Sequence, residues 1–242
     1  MMVEKELKEV AIIFNPEAGM NNHRQKQIDL AAKEFQDSGY HVEEYLTSGP
    51  GDATELARTA QQKGKNVIIS AGGDGTMNEV LQGIESPHTV LGCLPFGTIN
   101  VWASEVGTPS DPVKAAKELA EGEVRTIDIG ELNQRKFILH AGIGYDADLI
   151  METQEPGRIK KCKGALSYFR IIARTIWNYP SHKAKVTIAD KEVELDLLQA
   201  IFSNTRQYAN FILQPDPPAR IPYATSGAGV RWPMGGSRVW AH

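Results

Sequence analysis

The stretch that most limits what this chain can fold into begins at Val67. Val67-Ile68-Ile69 is apolar, Ser70-Ala71-Gly72-Gly73-Asp74-Gly75-Thr76 is a glycine turn, and Met77, Val80, Leu81 and Ile84 then recur at helical spacing. Strand, glycine turn and helix start in direct succession make an α/β unit. Three glycines around Asp74 let bare backbone approach a ligand, because glycine tolerates positive φ and carries no Cβ. Amides at such a turn and at a helix N-terminus point outward and favour an anion, which suits a nucleotide phosphate. An acid among those amides is unfavourable unless it meets a cation, so Asp74 points to Mg²⁺ carried in by the nucleotide.

Plainer roles compete for the same residues. Thr76 with Glu79 fits a capping box, which leaves Glu79 no catalytic part, and Asp52 with Glu55 fits another. The turn is not a Walker A loop, since no Gly-Lys-Ser/Thr follows, and its glycine spacing is not that of the dinucleotide fingerprint.

The same alternation runs through the first half. Val10 to Phe14 reads as a buried strand that ends at Asn15-Pro16-Glu17-Ala18-Gly19. A helix from Arg24 to Gln36 follows, with Ile28, Ala31, Ala32 and Phe35 on one face. Tyr40–Leu46, Val67–Ser70 and Thr89–Leu94 read as further strands, and Asp52–Gln62 as a second helix. Strands separated by helices imply parallel pairing through right-handed crossovers. The four following loops carry Asn15 and Gly19; Thr47, Ser48, Gly49, Gly51 and Asp52; Gly72 to Thr76; and Phe96-Gly97-Thr98-Ile99-Asn100. All four lie at the carboxyl ends of the strands, where open α/β sheets bind ligands. A nucleotide site is expected there.

The second half changes character near Arg125. Val124–Leu132 and Lys136–Ala141 read as strands joined by a turn at Asn133-Gln134-Arg135, and Lys185–Ile188 with Glu192–Phe202 as another pair. Gly142-Ile143-Gly144-Tyr145-Asp146-Ala147 breaks the pattern. Between the pairs, Arg158 to Trp177 is amphipathic: Ile159, Cys162, Leu166, Phe169, Ala173 and Ile176 form one stripe, and every charge is basic. It reads either as a helix packed on the second domain with a solvated basic face or as a surface for acidic lipid headgroups. From Thr205 onward, prolines, glycines and two isolated tryptophans, Trp232 and Trp240, replace any sustained period. That composition is read as an interruption of the native sequence, by truncation or a change of reading frame. The expected division is a nucleotide-binding domain over residues 1–124, a β-rich domain over 125–204 and an irregular tail over 205–242.

A net charge of −4 gives no bulk attraction to nucleic acid, and none is expected as a partner. Cys93 and Cys162 are the only cysteines and belong to no metal-spacing motif, so the default compartment is a reducing cytosol. The charged N-terminus is not a signal peptide, and no apolar run is long enough to span a bilayer. Any membrane contact is therefore expected to be transient and from the cytoplasm.

Taken in order, these motifs resemble the diacylglycerol kinase catalytic-domain family, in its bacterial lipid kinase branch related to sphingosine kinases. The likeness runs from Val10 to about Tyr208. It rests on Asn15-Pro16-Glu17-Ala18-Gly19, Thr47 before Gly51-Asp52-Ala53, Gly72 to Val80, Pro95 to Asn100, Asp128-Ile129-Gly130, Gly142 to Ala147 and Ser203-Asn204. The resemblance implies a three-layer α/β nucleotide-binding domain followed by a β-sandwich-like domain, incomplete at the C-terminus. It implies that Asn15, Pro16, Glu17, Ala18, Gly19, Thr47, Gly72, Gly73, Asp74, Gly75, Thr76, Met77, Asn78 and Thr98 hold ATP, with Asp74 the catalytic residue, serving the phosphates through Mg²⁺. The implied reaction moves the γ-phosphoryl group of ATP to a diacylglycerol-like hydroxyl at the membrane surface, by a monomer or a homodimer.

Three departures stand against the pattern. Ala18 replaces a frequent serine, and Val101 a frequent acid. Nothing between Gln214 and His242 matches the family's Asp-Gly metal segment or its later general base, whose loss typically costs about 10²–10⁴ in rate. The alternatives are an NAD kinase, which shares a Gly-Gly-Asp-Gly turn, and a non-catalytic nucleotide-binding remnant.

Overall fold

The computed structural model describes residues 8–16, 24–145, 147–148, 179–188, 191–205, 207–208, 211–212, 230–231 and 237–241. The amphipathic stretch 158–177, Glu17, Ala18, Gly19 and Asp146 lie outside the described residues, as does most of 205–242.

Four apolar runs form parallel strands: β1 (Glu9–Phe14), β2 (His41–Leu46), β3 (Val67–Gly72) and β4 (Val90–Pro95). They pair in the order β2-β1-β3-β4, with Ile13 beside both Tyr45 and Ser70. Every residue of β3 and β4 is buried, as expected of strands covered on both faces. The pleat sorts their side chains. Val10, Ile12, Phe14, Val67, Ile69 and Leu94 share a core with α1 (Arg24–Asp37) and α5 (Pro112–Glu121). Ala11, Ile13, Ile68, Leu91 and Cys93 face α2 (Asp52–Gln62) and α3 (Asp74–Gly83). This is the expected three-layer arrangement, helices on both faces of a parallel sheet. A short α4 (Val101–Glu105) follows β4.

Helices α2 and α3 meet almost backbone to backbone. A Cβ on Gly83 would stand 2.2 Å from the Thr54 carbonyl oxygen and 2.7 Å from the Ala57 methyl. Ala53, Ala57 and Ala60 keep that face of α2 small. Gln61 closes the contact: its Nε2 donates to the Gly83 carbonyl at 2.8 Å, and its Oε1 accepts from the Ser86 amide at 3.1 Å.

The single strand expected over Val124–Leu132 is two. β5 (Glu123–Ile127) joins the main sheet, and β6 (Gly130–Leu132) forms a hairpin with β7 (Arg135–Phe137). The break has a packing cause. Ile129 turns into the α2–α3 core, and Gly130 lies under the Phe137 ring, which a Cβ would strike at 2.1 Å. The hairpin turns at Asn133 and Gln134, both at positive φ (50° and 65°), as a two-residue type I′ turn requires. Lys136–Ala141 is likewise divided, because β8 (His140–Gly144) leaves the hairpin to pair with β11 (Gln199–Ser203).

β9 (His182–Ile188) and β10 (Lys191–Leu197) form a separate antiparallel pair, with Val193 and Leu195 50% and 43% exposed. Three short strands follow, β12 (Gln207–Tyr208), β13 (Phe211–Ile212) and β14 (Val230–Arg231), the last pairing with β6. The tail expected to be irregular supplies one more element. β15 (Ser237–Ala241) lies in the main sheet between β4 and β5, parallel to the first and antiparallel to the second. Its Val239-Trp240-Ala241 run is apolar enough for a strand position, a local signal that the surrounding glycines and prolines mask.

Candidate functional site

The carboxyl ends of β1 to β4 surround a cavity of about 670 Å³, within the roughly 300–1,000 Å³ usual for small-molecule sites. Each loop contributes a wall. Asn15 and Pro16 follow β1; Thr47, Ser48, Gly49 and Pro50 follow β2. Gly73, Gly75 and Thr76 follow β3, and Gly97 and Thr98 follow β4.

Close backbone approach dictates the glycines. A Cβ on Gly72 would fall 2.4 Å from Thr76 Oγ1, and one on Gly97 would fall 2.6 Å from Gly73 Cα, so the two glycine loops lie against each other. The amides of Phe96 and Gly97 both donate to the Gly72 carbonyl, at 2.9 and 3.2 Å. Asn100, at φ 54°, closes the second loop on itself: its Oδ1 accepts from the Gly97 amide at 2.9 Å, and its Nδ2 donates to the Gly97 carbonyl at 2.8 Å. From β1, Asn15 Nδ2 donates to Thr76 Oγ1 at 3.2 Å. Gly73, Gly75 and Thr76 bring the N-terminus of α3 to the wall, where first-turn amides lack intrahelical acceptors and favour negative charge.

Asp74 has a different setting from the one its neighbours suggest. Its Oδ2 accepts from the Val101 amide at 2.9 Å and its Oδ1 from the Trp102 amide at 3.1 Å. The acid among amides is thus met by the first turn of α4, and it pins the β4 loop to the β3 loop. It borders a void of only about 10 Å³ beneath the turn, not the main cavity.

Both expected capping boxes are absent. α3 starts after Gly73 with no side-chain cap, and Thr76 serves Asn15 instead. Glu79 reaches across to α2, where its Oε2 accepts from the Gly51 amide at 3.0 Å. Gly51, at φ 89°, occupies the cap position of α2. Asp52 turns back to Ser48, accepting from its amide at 2.8 Å and its hydroxyl at 2.6 Å, bonds that hold its carboxyl below the usual range. Partners outside each helix outcompete its own cap.

Of the residues expected at the site, Asn15, Pro16, Thr47, Gly73, Gly75, Thr76 and Thr98 line the cavity together. Gly72 packs beneath Thr76, and Met77 is buried in the α2–α3 core. Asn78 lines a second cavity on another side of α3. Ser48, Gly49 and Gly97, from the loops expected there, also form the wall, as do Pro50, Ala53 and Glu79, which stood outside the expected set. Glu79 carried no local signal for this role, since its partner lies on another helix. The Cys93 thiol, pushed up to about 12 by burial, takes no part. Among the described residues no group of three or more His, Cys, Asp or Glu is placed to hold a metal, and no helix is long and apolar enough to cross a membrane.

Fold and cavity define a class: an α/β domain with paired glycine loops at the carboxyl edge of a parallel sheet. Within that class the chain belongs to the diacylglycerol kinase catalytic domain family, whose model matches residues 9–132. It is 36% identical over 166 residues to a diacylglycerol kinase of Bacillus subtilis (strain 168), covering 67% of this chain and 54% of that protein. A diacylglycerol kinase of Staphylococcus aureus (strain MRSA252) is 36% identical over 164 residues, covering 67% and 51%. The chain thus spans about half the length of the curated relatives it matches. A crystal structure of a diacylglycerol kinase from Bacillus anthracis str. Sterne matches with a TM-score of 0.66 at 23% identity, over 86% of this chain and 68% of that one, a likeness of fold.

Proposed function

We propose that this chain carries the ATP-binding part of a lipid kinase, which moves the γ-phosphoryl group of ATP to the hydroxyl of a diacylglycerol-like lipid. The observation that carries this reading is the convergence of four strand-end loops, two of them glycine loops packed backbone to backbone, on one nucleotide-sized cavity in a member of this family. Asn15, Pro16, Thr47, Gly73, Gly75, Thr76 and Thr98 form the phosphate and nucleoside cradle. Phosphoryl transfer needs positioning and charge neutralisation more than covalent help, and amide-lined loops suit that task.

Asp74 acts as a positioning residue that holds Gly97 and Thr98 over the phosphates. The acids nearest the cradle, Glu79, Asp52 and Asp74, already accept backbone or hydroxyl donors. Mg²⁺ would come bound to ATP and would neutralise phosphate charge there. The protein works from the cytoplasm and visits the membrane to meet its acceptor.

The test is transfer from γ-labelled ATP to a lipid panel and to NAD in parallel, with Thr76→Ala and Asp74→Ala as controls. Label in a lipid, lost in both variants, supports the reading. Label in NAD overturns it. ATP bound with label in neither acceptor makes the chain a nucleotide-binding remnant.

A further inference from the structure

Helix α3 separates two cavities. Thr76 and Glu79 face the nucleotide cradle, whereas Asn78, in the same helical turn, lines a cavity of about 230 Å³. The other walls of this second cavity come from β6, β7 and the start of β8, and most are apolar: Leu132, Phe137, Ile138, Leu139 and Ala141. A side-chain latch holds them against α3. Gln82 Nε2 donates to the Lys136 carbonyl at 2.8 Å, and Gln82 Oε1 accepts from the Lys136 amide at 3.0 Å, as a neighbouring strand would. The Lys136 ammonium is committed to the Ile84 carbonyl at the end of α3, and burial pushes its pKa down. His140 is engaged through Nδ1 with Ser203 Oγ at 2.9 Å, and its Nε2 lies 3.4 Å from Thr205 Oγ1.

We propose that this second cavity seats one hydrocarbon chain of the acceptor lipid. It is smaller than the roughly 300–1,000 Å³ of pockets that enclose a whole ligand, so it takes a segment. Of its polar walls Lys136 and His140 are already engaged, which leaves Asn78 and the exposed Arg135, while the five apolar residues offer an alkyl chain contact. The two cavities are one helix apart. A helix with its side chains is about 10–12 Å across, a span an acylglycerol bridges. One molecule can therefore bury its chain against Leu132 and Leu139, both only partly buried, and present its hydroxyl to the cradle. This assignment rests on the lipid kinase reading and adds the place of the acceptor to it.

The test is methyl NMR of the whole chain, titrated with 1,2-dioctanoylglycerol in the presence of a non-hydrolysable ATP analogue. The expected result is a shift of the Leu132, Ile138 and Leu139 methyl signals. Leu132→Trp, which fills the cavity, should weaken dioctanoylglycerol binding about tenfold and leave the affinity for the ATP analogue within about twofold. Lipid that binds or is phosphorylated with those methyls silent overturns the assignment and leaves the kinase reading standing. Full-strength lipid binding in Leu132→Trp also overturns it. Label from ATP in NAD, with no lipid bound, overturns both.

Discussion

The parallel sheet and the β9–β10 hairpin use the same kind of element to opposite effect. In β3 and β4 every side chain is buried, and alternate residues feed two separate helix-covered cores. In the hairpin, one face carries Val193 and Leu195, largely open, and the other carries charges such as the Lys185–Glu192 pair at 2.6 Å. A two-stranded ribbon has no interior of its own, whereas a sheet with helices on both faces makes two. Placement of the site follows. The buried sheet holds four loop ends still at one edge, and the glycine loops can rely on that edge for close fit.

Substitutions in the two regions should separate by size. Leu94→Ala, in the core shared with α1 and α5, should cost about 3 kcal/mol in urea unfolding. A cost below that of hairpin variants would break the contrast. Asp74→Ala removes both acceptors of the α4 amides and should cost about 2 kcal/mol, together with a loss of nucleotide affinity measured by calorimetry. Gly72→Ala forces a methyl into Thr76 and should cost about 1–2 kcal/mol, while parting Thr76 from Asn15.

A smaller effect concerns acid. The Glu9 and Glu43 carboxyls are held below their ordinary value of 4.5, chiefly by hydrogen bonds from Lys65 and Lys63. A depressed folded-state value stabilises above the unfolded value, and that part is lost as pH falls through the folded value. Wild-type stability should therefore decline as the pH drops below about 4.5. Lys65→Met should flatten part of that decline in a pH series of urea midpoints. Smallest of all, Leu195→Ala should stay within about 0.5 kcal/mol, and a larger loss would mean the hairpin face is covered in solution.

The contrast also explains what could be read in advance. Continuous apolar runs and helical stripes are local facts, so β1 to β4, α1 and α2 lie within a residue or two of their expected bounds. The four loops were legible for the same reason, being punctuation between strong periods. Long-range choices were not. Glu79 read as a local cap until α2 arrived as its partner, and the α4 amides that donate to Asp74 lie more than twenty-five residues away in sequence. The split at Asp128-Ile129 depended on Ile129 finding a core built by other segments, and β15 on a free edge of β4. Neither condition is written in the neighbouring residues.

Gly83 carries a last consequence. With the Thr54 carbonyl pressed on its Cα, α2 cannot slide along α3 without a collision, and Gln61 stitches the far end of the contact. The two helices form one stiff beam under the cradle. Ala53 on α2 and Thr76 on α3 therefore keep a fixed spacing along their wall of the cavity.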